Sequence, residues 1–179
     1  MGMMQTRVVD QDGPELGARR VVLPSASTDE TRALGAALGA VARPGDRIAL
    51  VGPLGAGKTQ FAKGFAVGLG VAEVVNSPSF TLMAEYEGRL PLFHQDLYRL
   101  AGTSEALEGG LLDERQDDGV TLSEWADRID AALDGERVTV RIEPVGETDR
   151  RIDVFGVGDA GRRYVAAAAA HRTGRVEVG

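Results

Sequence analysis

The strongest chemical signal in the sequence is the glycine-rich segment Gly52–Thr59, which reads Gly-Pro-Leu-Gly-Ala-Gly-Lys-Thr. It fits the phosphate-loop pattern G-x-x-x-x-G-K-[ST] at every fixed position. Glycines let the backbone turn tightly enough to aim N–H groups at phosphate oxygens, and a helix beginning at Lys58 adds its positive end. Lys58 can reach the β- and γ-phosphates, and the Thr59 hydroxyl can bind Mg²⁺. We therefore expect nucleotide binding by Gly52, Leu54, Gly55, Ala56, Gly57, Lys58, Thr59 and Gln60.

The alternative is a plain glycine-rich turn between a strand and a helix. It is disfavoured because a buried strand precedes the loop and a helix follows it, which is the context that a phosphate loop requires. The nucleotide is expected to be ATP. Guanine-specific proteins of this class read the base with an N-K-x-D motif, whereas this chain has a single asparagine, Asn76, followed by Ser-Pro.

Two carboxylates are candidates for the metal and the attacking water. A phosphate loop needs an acid near its metal, usually at the end of a hydrophobic strand beside the loop strand. Glu124 ends the strand-like segment Val120–Glu124, and Asp96 ends Leu92–Asp96. Each alone would be an ordinary surface carboxylate. With the loop present, we expect both to act in catalysis together with Lys58, one or other of them beside Mg²⁺.

Hydroxyl and aromatic side chains lie near these candidates in the sequence. Pro78 favours an extended backbone at Ser77, and Ser77, Ser79 and Thr81 alternate along a stretch that is expected to be extended, so they point to one side. That side could contact a phosphate or form an ordinary polar strand edge. Trp125 follows Glu124 directly and suits the core and the neighbourhood of a nucleotide equally. His94 is more typical of a hydrogen-bonded structural residue than of a base.

The elements that must position these residues follow from the hydrophobic pattern. A buried strand, 47–51, precedes the loop and a helix, 58–69, follows it and ends at Gly70. Earlier lie a strand, 20–24, and a helix capped by Ser27 and Glu30 that stops at Pro44-Gly45. Later segments predict two hairpins, 79–87 with 90–98 and 138–142 with 151–155, and one further strand, 119–125. They also predict an acidic helix over 104–118 and an Ala-rich terminal helix over 164–172.

This order predicts an α/β fold, a single P-loop NTPase domain with a mixed, partly parallel sheet flanked by helices. We expect a disordered leader over 1–19, the ATPase domain over 20–158 and an Ala-rich C-terminal extension over 159–179.

Composition narrows the class of protein further. The net charge of −7 disfavours unaided binding to nucleic acid, and the absence of cysteine excludes disulfides and thiolate metal sites. Eleven acids and two bases lie between Glu105 and Glu136, which could be a solvated face or a docking surface for a basic partner. No apolar run approaches a membrane span of about 18 residues and no secretory signal is evident, so a cytoplasmic location without membrane contact is expected.

Taken together, these motifs resemble the TsaE (YjeE) family of bacterial P-loop ATPases, which serve tRNA threonylcarbamoyladenosine biosynthesis. The resemblance covers about 23–155 and rests on four segments in order: Gly52–Thr59, Asn76–Leu82, His94–Leu100 and Leu122–Trp125. It implies a domain that binds ATP and Mg²⁺, hydrolyses ATP slowly alone, and docks on a TsaB–TsaD complex. That complex, rather than this chain, would hold the tRNA.

The resemblance also assigns roles to residues. It implies that Lys58 and Thr59 bind phosphate and metal, that Glu124 is the metal-associated acid and that Asp96 is needed for hydrolysis. The switch-like segment 77–81, including Ser79 and Thr81, would lie near the γ-phosphate, with Trp125 beside the site.

This chain departs from the family pattern at three positions. Pro53, Ser79 and Gln95 stand where family members usually have Asp, Thr and Phe. Ser79 keeps a hydroxyl, whereas Pro53 removes a carboxylate and a backbone N–H.

Two other functions fit the loop without the family. A small-molecule kinase on the same fold would need an acceptor pocket and an arginine-bearing lid, which nothing in the sequence marks. A nucleotide-sensing interaction protein would bind ATP and hardly hydrolyse it.

Overall fold

The computed structural model of the chain describes residues 18–78, 82–97, 114–125 and 137–176. These residues form seven strands: β1 (Arg19–Ser25), β2 (Arg47–Val51), β3 (Met83–Glu87), β4 (Pro91–Asp96), β5 (Val120–Glu124), β6 (Arg137–Pro144) and β7 (Arg150–Gly156). They also form a short 3₁₀ helix, Glu114–Asp118, and three α-helices: α1 (Thr28–Gly39), α2 (Lys58–Gly68) and α3 (Gly158–Val176).

The seven strands form one sheet in the order β1-β7-β6-β2-β5-β4-β3. The four central strands, β6, β2, β5 and β4, run parallel, whereas the pairs β1–β7, β7–β6 and β4–β3 are antiparallel. The central strand β5 is buried at every residue, as expected for a parallel strand covered on both faces. The predicted α/β fold with a mixed, partly parallel sheet is confirmed, as are both hairpins.

Helix α1 begins as its sequence predicts and ends earlier than predicted. The Ser27 side chain accepts a hydrogen bond from Glu30 N, and the Glu30 carboxylate accepts one from Ala26 N, one residue before the cap. The helix ends at Gly39, so the predicted end at Pro44-Gly45 is wrong. The bonds from Val41 N to Leu38 O and onward are of the tighter i→i+3 kind. They keep Val41 packed against the core outside the helix, which is why its spacing suggested a longer one.

Glycines allow α1 and α2 to pack at very short range. A Cβ atom at Gly64 would lie 2.0 Å from Arg32 O, and one at Gly35 would lie 2.4 Å from Phe61 O. With the backbones this close, Phe61 and Phe65 of α2 are fully buried in the main core. The position of α2, and therefore of the loop that leads into it, is fixed by this helix pair.

Helix α3 packs against the same sheet and against α1. Tyr164 is fully buried, and its hydroxyl donates to Asp46 Oδ2 at 2.6 Å. Arg163 donates to both Asp46 carboxylate oxygens at 2.6 and 3.1 Å. These bonds connect α3 to the turn before β2, so the predicted Ala-rich helix is confirmed and it contributes to the core. The boundary placed at residue 158 stays a prediction.

Several predictions fall on residues that the structure does not describe. They are the leader apart from residues 18 and 19, residues 79–81 and 98, residues 177–179 of the predicted extension, and most of the acidic segment, including residues 104–113 of the helix predicted over 104–118. Within the described part of the chain, no helix has the length and hydropathy needed to cross a bilayer.

Candidate functional site

Strand register brings the two predicted carboxylates together beside the phosphate loop. Glu124 pairs with Leu50 of β2 on one side of β5 and with Asp96 of β4 on the other. Since the carboxyl ends of parallel strands meet at one edge of the sheet, both acids lie where the loop leaves β2. Glu124 is 3% exposed and Asp96 is 7% exposed, so both carboxylates depend on local partners.

The loop itself turns through glycines that no larger residue could replace. Gly57 has a φ of 108° and caps α2 without a side-chain hydrogen bond. A Cβ atom at Gly52 would lie 2.3 Å from Ile142 O of β6, so only glycine fits at the exit from β2. The first turn of α2 therefore presents backbone N–H groups that no capping side chain covers, which suits an anion.

Lys58 folds back over the loop. Its Nζ donates to Gly52 O at 2.6 Å and to Pro53 O at 2.9 Å. The same atom lies 3.9 Å from the centroid of the Trp125 ring, a favourable cation–π distance. Trp125 has a φ of 57°, uncommon for a bulky residue, and it also contacts Leu97. Trp125 thus contacts both the core and the loop lysine. The sequence left open whether this side chain packs in the core or lies beside a nucleotide site.

A chain of three polar side chains joins α2 to β4 through Glu124. The Thr59 hydroxyl donates to Glu124 Oε1 at 3.0 Å. The other oxygen, Oε2, lies 2.7 Å from His94 Nε2, and His94 is fully buried. Thr59 and Glu124, the two predicted metal residues, are therefore in direct contact.

Asp96 has a separate partner in the hydroxyl segment. The Ser77 hydroxyl donates to Asp96 Oδ2 at 2.7 Å. Of the three alternating hydroxyls, Ser77 is the one the structure describes, and it faces a carboxylate, while Ser79 and Thr81 lie outside the described residues.

A cavity of about 560 Å³ lies in front of these groups. It is lined by loop residues, by both carboxylates and by their neighbours: Leu54, Gly55, Ala56, Gly57, Lys58, Thr59, Gln60, Ser77, Asp96, Glu124 and Trp125. Ten of these eleven were predicted as site residues, and Ser77 was singled out within the hydroxyl segment. Gly52 lies beneath the loop and does not line this cavity.

A second cavity, of about 470 Å³, lies against residues 55–57 and Gln60 and extends to the start of α1 and the turn before β7. Arg150 borders this cavity. It also stabilises the loop, since its Nε donates to Ala56 O at 3.0 Å. Sequence analysis missed Arg150 and its neighbours Glu147 and Thr148. They lie about 90 residues after the loop in a polar turn without a motif, and only the β6–β7 pairing brings them near.

The donor set suits a magnesium–nucleotide complex. Within the described ranges, no group of three or more His, Asp or Glu side chains could hold a metal. A cation here would therefore rely on phosphate oxygens, one hydroxyl and one or two carboxylates, as Mg²⁺ commonly does. Thr59 and Glu124 are placed to supply the protein's share. Lys58 and the start of α2 would supply positive charge to the phosphates of such a ligand.

Comparison with known proteins gives one family. A family model described as "Threonylcarbamoyl adenosine biosynthesis protein TsaE" matches residues 25–152. A Bacillus subtilis protein named tRNA threonylcarbamoyladenosine biosynthesis protein TsaE is 46% identical over 132 residues, covering 73% of this chain and 82% of its own length. A protein of the same name from Treponema pallidum is 38% identical over 130 residues, covering 73% and 96%. The crystal structure of Bacillus subtilis YdiB is similar with a TM-score of 0.71 at 34% identity, covering 88% of this chain and 99% of that one.

Proposed function

Because the chain belongs to the TsaE family of tRNA threonylcarbamoyladenosine biosynthesis proteins, we propose that it binds Mg²⁺ and ATP and hydrolyses ATP. We propose further that it does so as a subunit working with a TsaB–TsaD-type complex. The observation that carries the proposal is the contact of Thr59 with Glu124 at 3.0 Å, with Asp96 paired beside Glu124 on the next strand. A phosphate loop, a metal hydroxyl and two acids are the parts that phosphoryl transfer to water requires.

Each residue has a role that its geometry supports. Lys58 already points across the loop, and a phosphate oxygen is a stronger acceptor than the carbonyls it now contacts, because that oxygen is charged. When bound, Mg²⁺ would neutralise charge on the phosphates. Glu124 accepts from Thr59 and thereby orients that hydroxyl, whereas Asp96 accepts from Ser77, borders the cavity and suits the positioning of the attacking water.

The second cavity suits the nucleoside. It adjoins the same loop glycines and Gln60 but lies on the side remote from Asp96 and Glu124, which border only the first cavity. A nucleotide with its γ-phosphate near those acids would extend past Gln60 towards Arg150 and Thr148. We therefore propose that the turn at 145–149 and the start of α1 surround the ribose and base.

The partnership is proposed from the pathway of the relatives and from charge. A net charge of −7 makes direct binding to tRNA unfavourable, so tRNA would be held by the partner proteins. We also propose a cytoplasmic location, because the pathway in the relatives' names modifies tRNA.

The test is phosphate release from ATP by the full chain, alone and with a TsaB–TsaD complex and tRNA. The matched pair of variants is Lys58→Ala and Lys63→Ala, which remove the only two lysines of the chain. Both lie on α2, but Lys63 does not border the first cavity. We expect slow release alone and faster release with the complex. Loss of the loop lysine should reduce the rate by about 100- to 1000-fold, as for other preorganised electrostatic groups.

Two outcomes would contradict the proposal. If the Lys58→Ala variant released phosphate at the wild-type rate, the loop lysine would have no role in hydrolysis. Turnover that is unchanged by the complex and tRNA would leave a P-loop enzyme with another client, and small-molecule acceptors would then be screened for ATP-dependent phosphorylation.

A further inference from the structure

His94 belongs to the site although it does not border the cavity. It lies on β4, two residues before Asp96, and is fully buried. Its Nε2 is 2.7 Å from Glu124 Oε2. Because an ionised carboxylate can only accept, the imidazole donates in this contact. From this position it cannot reach a substrate, so a role as base is excluded by geometry.

A purely structural role explains His94 poorly. The other ring nitrogen, Nδ1, is buried and has no hydrogen-bond partner among the described residues. Burying an unpaired polar atom is unfavourable, and an apolar side chain of similar size would fill the same space without that penalty. Among the described residues, the contact with Glu124 is the interaction of His94 that an apolar side chain could not replace.

Glu124 is held at both oxygens. His94 fixes Oε2 and Thr59 contacts Oε1, so the plane of the carboxylate is determined by β4 on one side and by α2 on the other. Without the imidazole, Oε2 would be buried without this donor and the side chain could rotate away from Thr59. Partners of this kind orient a carboxylate at a metal site and tune its affinity for the metal.

We propose that His94 is a positioning residue that holds the Glu124 carboxylate against Thr59 and so sets the affinity of the site for Mg²⁺. This inference rests on the proposed function. It predicts an effect on the metal requirement that is separate from any effect on nucleotide binding or on folding.

The test is a Mg²⁺ titration of the full chain at a fixed, saturating concentration of ADP. Trp125 is the only tryptophan and lies beside Lys58, so its fluorescence reports on the loop. The variants are His94→Phe, which keeps a ring and removes the donor, and His94→Gln, whose amide can replace Nε2–H. The control is Gln95→Leu. Gln95 is equally buried on β4 and also bonds to β5, through Ser123 Oγ, but it lies on the opposite face of the sheet.

The expected result is a Mg²⁺ concentration for half-maximal response that rises about 10- to 100-fold in His94→Phe. His94→Gln should recover most of this loss, Gln95→Leu should match the wild type, and ADP binding without Mg²⁺ should be equal in all four proteins. At saturating Mg²⁺ the KM for ATP should be unchanged. Should His94→Phe fail to fold, as judged by its thermal unfolding midpoint, His94→Asn replaces it, since its shorter amide cannot reach Glu124 and the same shift is expected.

Two results would overturn the inference. One is a half-maximal Mg²⁺ concentration in His94→Phe within about twofold of the wild type, well below the effect expected of such partners. The other is an equal shift in Gln95→Leu. A wild-type chain that neither responds to Mg²⁺ nor releases phosphate would instead refute the proposed function itself, so the two failures are distinguishable.

Discussion

Replacement of Arg150 by methionine tests whether the phosphate loop depends on support from the start of β7. Arg150 Nε donates to Ala56 O at 3.0 Å, and Nη2 donates to Gly55 O at 3.4 Å. The same guanidinium donates through Nη1 to three carbonyls of the preceding turn: Gly146, Glu147 and Asp149. Because the C=O and N–H of a trans peptide point in opposite directions, the bond to Ala56 O turns the Gly57 N–H away from Arg150. Methionine keeps the apolar stem and removes every donor.

The size of the effect follows from the environment of these bonds. Only the bond to Ala56 O is partly buried, whereas the other four are exposed. A hydrogen bond with one charged partner contributes about 1.5–3 kcal/mol, and partial exposure favours the lower end. Since about 1.4 kcal/mol is a factor of ten in affinity, we expect the Kd for Mg·ADP to rise about tenfold. The free energy of unfolding should fall by no more than about the same 1.5 kcal/mol, because the bonds hold a surface loop and a turn.

The assay is isothermal titration of Mg·ADP into the full chain, with Arg151→Met as the matched control. Arg151 is the next residue on β7 and pairs with Asp153 at 3.4 Å instead of with the loop. Its variant should bind Mg·ADP like the wild type. Arg150→Met binding within about twofold of the wild type, far from the expected tenfold change, would refute the reasoning. So would an equal loss of affinity in the two variants.

Three further predictions concern the carboxylate of Asp96, the packing of α1 against α2, and the stability of the fold at alkaline pH. Asp96→Asn should reduce phosphate release by about 100- to 10,000-fold while ADP binding in calorimetry is retained; full activity would exclude its role. Gly64→Ala should lower the free energy of unfolding in urea by about 1–3 kcal/mol, because its Cβ would lie 2.0 Å from Arg32 O. Burial, and then Asp46, raise the pKa of Tyr164 well above its ordinary value. The unfolded chain therefore loses this proton first, and stability should fall by up to about 1.4 kcal/mol per pH unit above about pH 10. A Tyr164→Phe variant whose stability falls as steeply there would contradict this.

The parts of the fold that sequence predicts well are those fixed by neighbours in the chain. The strand at 47–51, the loop and α2 follow one another, so the pattern and the glycines specify them locally. The α1 start is specified by Ser27 and Glu30 for the same reason. The end of α1 is not specified locally, because Val41 keeps a helical spacing after the backbone has changed to a tighter turn. That change depends on contacts with the core, which a local pattern does not contain.

The candidate site shows the same division. Asp96 and Glu124 could be proposed because each ends a strand, but their pairing is a property of the sheet order. The contacts of Ser77 with Asp96 and of His94 with Glu124 join residues 19 and 30 positions apart. Arg150 had no signal at all, since a single arginine in a polar turn is common. These contacts arise from the register in which strands distant in the sequence pair. That register cannot be predicted from any one segment.

The proline at position 53 shows how the loop tolerates a departure from its family. Pro53 lacks an N–H, yet its carbonyl accepts from Ala56 N at 3.1 Å and from Lys58 Nζ at 2.9 Å. Its fixed φ favours a turn at this point, so the residue stiffens the loop while it supplies the acceptor. The carbonyls of residues 52, 53, 55 and 56 are thus all engaged by Lys58, Ala56 N or Arg150. Ala56 O stays bound to Arg150 whichever acceptor Lys58 contacts, so the Gly57 N–H and the first turn of α2 are left to face an anion.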